Sequence, residues 1–127
     1  MKPYKGPIES DTVKGKNFRE ILFTGEHLQL ELMSILPGED IGKEIHPATD
    51  QFFRFEEGKG KAIIDGVEYL LQAGDALVVP QGSEHNIINT SKLKSLKLYS
   101  LYSKQMHPKG VVEKTKLDAI NNEDVKK

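Results

Sequence analysis

The sequence predicts an all-β domain, a sandwich or barrel of short antiparallel strands. Three observations lead there. Short apolar or alternating runs recur at spacings of about ten residues, with turn residues between them. The stretch KAIIDGVEYLLQ (61–72) sets two apolar runs around Asp65-Gly66, a pair that favours the positive φ angles of a two-residue hairpin turn. Strand-like runs also end in strong stop signals, Pro37-Gly38 and Pro80-Gln81-Gly82.

Taken in order, KNFREILFT supplies a first strand, around Phe18 to Thr24. LQLELMSIL (28–36) alternates Leu28, Leu30 and Leu32 against Gln29 and Glu31, the pattern of a half-buried strand. QFFRFEEG (51–58) is aromatic and strand-like. Phe52, Phe53 and Phe55 read as core, and Arg54, of opposite parity to Gln51, is expected to face outward or into a subunit interface. After the hairpin come DALVVP (75–80), HNIIN (85–89) and LKSLKLYSLYS (93–103), where Leu96, Leu98 and Tyr102 share a parity that Lys97 does not. Lys92, Lys94 and Lys97 read as a solvated strand edge that resists aggregation. Near the end, Thr115 with Asp118 resembles a capping box and predicts a short helix, followed by charged residues expected to fray.

At 127 residues the chain suits one domain, 1–127, with the barrel over about 18–103 and a tail over about 104–127. A net charge of −1 offers no general attraction for nucleic acid. There is no cysteine, so disulfides, thiolate zinc sites and cysteine nucleophiles are excluded, and any metal must take nitrogen and oxygen ligands. MKPYKGPIES has no apolar stretch after its lysines, unlike a secretory signal, and no apolar run approaches the roughly 20 residues that span a bilayer. A cytoplasmic protein without membrane contact is the expectation.

Two stretches carry chemistry. The first runs Gly38, five residues, Glu44, one residue, His46, four residues, Gln51, six residues, Gly58. The second runs Gly74, five residues, Pro80, one residue, Gly82, two residues, His85, three residues, Asn89. Both resemble the two motifs of the cupin family, in order and separation. The second match is complete; the first has Glu44 where cupins commonly carry His, and Gln51 where they commonly carry Glu. The resemblance implies an antiparallel jelly-roll β-barrel with metal ligands in its mouth: Glu44, His46, Gln51 and His85. Residue chemistry agrees. Glu44 and His46 are two apart and share a face of an extended segment. Pro47 holds His46 extended, and Gln51 shares parity with Phe53 and Phe55. Exchanging the two departures leaves the formal ligand charge at −1. Such a set suits one divalent transition metal: Zn, Mn or Fe, with Ni and Co as alternatives. His27 and His107 lie outside the motifs, and His107 reads as an exposed turn residue.

Three functions fit this resemblance. One is a metal-dependent sugar or sugar-phosphate isomerase or epimerase, since mannose-6-phosphate isomerase-like cupins use the same ligand types. Glu84, beside His85, is then the candidate catalytic proton shuttle, with Phe53, Phe55, Ile64 and Val78 as an apolar wall behind the ligands. Another is a small dioxygenase built on Glu44, His46 and His85. The third is a non-enzymatic module that holds a small molecule in its barrel. A homodimer is expected, with the Phe18–Thr24 strand as the exchanged edge.

Overall fold

Asp65 and Gly66 take φ of 48° and 83°, as the two-residue turn demands. They join β4 (Lys59–Ile64) to β5 (Val67–Gln72), with Ile64 opposite Val67. The computed structural model describes residues 1–126. Before the hairpin lie α1 (Ile8–Lys14), β1 (Arg19–Thr24), β2 (Gln29–Ile35) and β3 (Gln51–Glu57). After it come β6 (Ala76–Val79), β7 (His85–Asn89), β8 (Leu96–Tyr102), β9 (Val112–Glu113) and α2 (Lys116–Lys126). Fraying of the charged terminus concerns Lys127 and the side chains from 124 onward, which lie outside the described residues.

Six strands form one antiparallel sheet in the order β6-β3-β8-β2-β1-β9, and three form a second, β5-β4-β7. Their inner faces share one core. Phe53, Phe55, Met33, Ile35, Leu96 and Leu98 come from the larger sheet, and Ala62, Leu71 and Ile87 from the smaller. The all-β jelly roll with a C-terminal helix is therefore as expected. The segment before β3 extends the small sheet. Asn89 donates to Glu39, Ile41 to Ile87, and Glu44 and His85 exchange a pair of backbone bonds at 2.8 and 2.9 Å.

Three expectations about side-chain placement and one about strand order need correction. In β2 the leucines do not face the core. Gln29, Glu31, Met33 and Ile35 point inward, and Leu30 and Leu32 lie on the outer face, which is also buried. The cause is α1, absent from the sequence reading, which packs across β8, β3 and β2. Lys97 is not on a solvated edge, because β8 is central. Its ammonium reaches over the outer face to the Gly15 carbonyl at the C-terminal end of α1, and to Ser34 Oγ at 2.9 Å. Val78 does not line the interior. Val79 pairs with Gln51, which fixes the register so that Val79 is buried and Val78 is 62% exposed. Finally, β1 is not a terminal strand, since β9 pairs with Arg19 and Glu20 on its far side. Residues beyond 103 thus complete the larger sheet rather than forming a separate tail.

Candidate metal centre

The exchange of backbone bonds between Glu44 and His85 brings the two motifs side by side at one end of the barrel. Gly42, at φ 99°, kinks the chain just before Glu44, and its N–H donates to Asn86 Oδ1 at 3.0 Å. Gly82, at φ 85°, turns the chain so that its N–H donates to the His46 carbonyl, and His85 follows at the start of β7. The result is a compact group. One ligand atom each from Glu44, His46 and His85 lie within 4.8 Å of one another. His46 Nε2 is 2.9 Å from Glu44 Oε2, and the two imidazole centroids are 5.4 Å apart.

His85 is 3% exposed, and its Nδ1 lies 3.1 Å from the Ser83 carbonyl. A carbonyl only accepts, so Nδ1 carries the proton and Nε2 presents a lone pair. That Nε2 has no hydrogen-bond partner, and nor does Gln51 Oε1; among the described residues they are the buried side-chain polar atoms in that condition. Buried polar groups without partners are rare, and both of these are lone-pair donors of the type a borderline divalent cation accepts. The residues present therefore fit such a cation. Gln51, 3% exposed at the head of β3, turns its other amide atom away, with Nε2 donating to Ser100 Oγ at 2.8 Å.

Electrostatics suits the same role. Burial pushes the Glu44 carboxyl upward, but the hydrogen bond from His46 and the nearby Arg19 charge outweigh it and hold it below the usual range. Burial holds the His85 imidazole below its ordinary value, against the Ser83 carbonyl and Glu44. Glu44 is thus an anion and His85 neutral at neutral pH, the forms that bind metal.

Beside the group lies a buried ionic network that the sequence reading did not find. Arg19, 3% exposed, donates from Nε to Glu31 Oε2 at 2.9 Å and from Nη1 to Glu113 Oε1 at 2.8 Å. Tyr102 donates to Glu31 Oε1 at 3.1 Å, and its ring meets His46 edge-on at 5.5 Å. His107 is part of this network and not an exposed turn residue: its Nε2 is 3.3 Å from the Tyr102 hydroxyl and 3.8 Å from Glu31 Oε2. The alternation of β2 already marked Glu31 as different from the leucines; because both faces are buried, alternation does not tell which one is interior. Between α2 and the 41–44 segment, a cleft of about 370 Å³ opens onto Arg19 and Glu44, with Phe18, Ile41, Ala119 and Ile120 as apolar walls.

Glu84 stands apart from the group. It is exposed, its N–H is held by Asp65 Oδ1 at 2.9 Å, and it falls on the opposite face from His85. His27 is also exposed and outside the group.

Residues 31–102 match the cupin domain family. The chain is 45% identical to the protein YrkC of Bacillus subtilis over 129 aligned residues, covering 97% of this chain and 69% of that protein. It is 39% identical to the protein L612 of Acanthamoeba polyphaga mimivirus, covering 84% of this chain and 68% of that one. Among solved structures, BH2720 of Bacillus halodurans superposes with a TM-score of 0.92 at 42% identity, over 94% of this chain and 95% of the other.

Proposed function

The chain belongs to the cupin domain family, and from that premise we propose that it is a metal-dependent cupin acting on a small oxygen-bearing molecule, with Glu44, His46, Gln51 and His85 holding one divalent transition metal. One observation carries the proposal. Among the described residues, the buried side-chain polar atoms without partners, His85 Nε2 and Gln51 Oε1, belong to the ligands that the motifs name, beside the Glu44–His46 pair.

Each residue has a definite task. Glu44 supplies the negative charge that offsets the cation. The Ser83 carbonyl keeps the His85 proton on Nδ1 and so keeps Nε2 free to ligate. Phe53 and Phe55, both buried, form the dry wall behind Gln51, where charge is weakly screened. The cleft beside α2 reaches the group at Glu44, and its volume sits at the low end of the range for small-molecule pockets. When bound, a divalent metal here supplies Lewis acidity toward a carbonyl or hydroxyl oxygen.

The sugar-isomerase form of this chemistry, shared in ligand types with mannose-6-phosphate isomerase-like cupins, needs a base at the substrate. Glu84 is on the wrong face for it, so that form loses its candidate shuttle. A second reading, an oxygen-dependent iron enzyme, is favoured by the two-histidine, one-carboxylate composition of the group. Elemental analysis of protein purified without chelator or added metal tests the common premise; absence of any transition metal, with no uptake on addition, refutes it. Protein loaded in turn with Zn, Mn and Fe(II) is then screened against sugar phosphates, small diols and diketones with dissolved oxygen monitored. Turnover without oxygen uptake supports Lewis-acid chemistry. Turnover that requires Fe(II) and oxygen replaces it with the second reading. Tight binding of a small molecule without turnover under any metal makes the protein a binding module.

A further inference from the structure

We propose that Ser100 is the positioning residue of the metal centre: its hydroxyl holds the Gln51 amide nitrogen so that the amide oxygen is presented to the cation. Ser100's role rests on the metal site proposed above.

A carboxylate at position 51 has two equivalent oxygens and would ligate with either one. An amide has two unlike ends. Its oxygen donates a lone pair, while its NH2 group has none to offer and repels a cation. An amide ligand therefore needs a partner that holds the nitrogen end, and here one is present. Gln51 Nε2 lies 2.8 Å from Ser100 Oγ, while Oε1 is buried without a partner. Ser100 is 0% exposed, so water does not compete for the contact.

The strand register explains why this serine is within reach. On β8, Leu96, Leu98, Ser100 and Tyr102 share the inward face. Gln51 stands opposite Tyr102, and Ser100 stands opposite Phe53, so Ser100 is the diagonal neighbour of Gln51 on the same face. It is the one small side chain in that inward row, and it leaves room for the amide where a leucine would fill it. The chain thus pairs its unusual ligand, Gln51, with a buried hydroxyl that a carboxylate ligand would not need for orientation.

The test is Zn2+ affinity, measured by competition with a chromogenic chelator, in wild type, Ser100→Ala, Gln51→Met and the double variant. Partners of metal ligands contribute about 10- to 100-fold in affinity, so Ser100→Ala is expected to weaken binding about 10-fold. In the Gln51→Met background there is no amide to orient, and Ser100→Ala is expected to change nothing further. An equal loss in both backgrounds marks a packing defect and overturns the proposal, as does wild-type affinity in Ser100→Ala. If Ser100→Ala does not fold, Gln51→Glu is compared with Gln51→Glu/Ser100→Cys, whose thiol is close to the hydroxyl in size. Affinities within about 2-fold are expected there, and a 10-fold gap overturns the proposal. Wild-type protein that binds no Zn2+, Mn2+ or Fe2+ removes the site itself, and Ser100's role with it. Wild-type binding with an unaffected Ser100→Ala removes Ser100's role alone.

Discussion

Replacing Arg19 with methionine would strip the charge from the buried network and keep most of the side-chain volume. Arg19 is 3% exposed and its partners Glu31 and Glu113 are 0% and 4% exposed, so its loss leaves two buried carboxylates without their cation. It makes two charged hydrogen bonds, at 2.9 and 2.8 Å. At about 1.5–3 kcal/mol each, they represent about 3–6 kcal/mol. Breaking buried ion pairs by removing one partner costs about 3–5 kcal/mol, because the other charge stays behind. We expect a loss of about 4 kcal/mol at pH 7, a large share of the roughly 5–15 kcal/mol that holds such a domain together. The pH profile carries the distinctive signature. Burial already raises the Glu31 carboxyl above its ordinary value, with Arg19 opposing the rise. A raised carboxyl contributes stability that is full below its unfolded pKa and is lost as pH climbs through the folded one. Without Arg19 the folded value rises further, and stability falls over a wider span above pH 4.5, by up to about 1.4 kcal/mol per pH unit. For Glu113 burial acts upward, but Arg19 and Asn122 together hold it below its ordinary value; its contribution is present at neutral pH and lost as pH falls through the lowered pKa. Losing Arg19 removes that contribution as well. The gap between variant and wild type should therefore be widest at neutral pH and narrow in acid. Urea unfolding at pH 4, 5, 6 and 7 measures it. A loss under about 1 kcal/mol at pH 7, with a parallel pH profile, refutes the buried-charge reasoning.

Three further outcomes are expected. The double variant His46→Ala/His85→Ala should lose metal; full retention in elemental analysis rules out the proposed ligands. Gly60→Ala should cost about 3 kcal/mol or prevent folding, because a Cβ there would lie 2.3 Å from the Ile88 carbonyl oxygen, in a strand paired on both sides; an unchanged unfolding midpoint contradicts this packing. A homodimer is expected through the free strand edges, now β5 and β6 rather than β1. Leu70 is 85% exposed there, so Leu70→Asp should shift the light-scattering mass toward monomer, and a monomeric wild type at micromolar concentration excludes the association.

The strand pattern and the candidate ligands were legible for the same reason: both depend on local spacing. Asp65-Gly66 announces its turn by the φ angles it tolerates, and two motifs in register single out His46 and His85 from four histidines. Depth was not legible. Alternation in β2 shows that Gln29 and Glu31 share a face, but not that the face is interior, because α1 buries the other one as well. With seven residues and Thr12 as its buried contact, α1 has too little apolar periodicity to stand out. Val78 was misplaced because a short apolar run does not state its parity, and the Val79–Gln51 pairing decides it. Ser100 and Arg19 carry no local signal, since their partners lie 49 and up to 94 residues away.

That last separation bears on how the chain is made. Gln29 Oε1 accepts the N–H groups of Met106 and His107, and Arg19 waits for Glu113. During synthesis at about 5–20 residues per second, a nascent chain holding every strand through β8 would still carry a guanidinium missing one carboxylate and a buried amide missing two donors. Such a chain has all of its apolar core except Ala119, and all four candidate ligands, yet its wall beside them is unfinished. Residues 106–113 would therefore act as the latch of the barrel, and the end that carries the candidate ligands would set only after they have joined it.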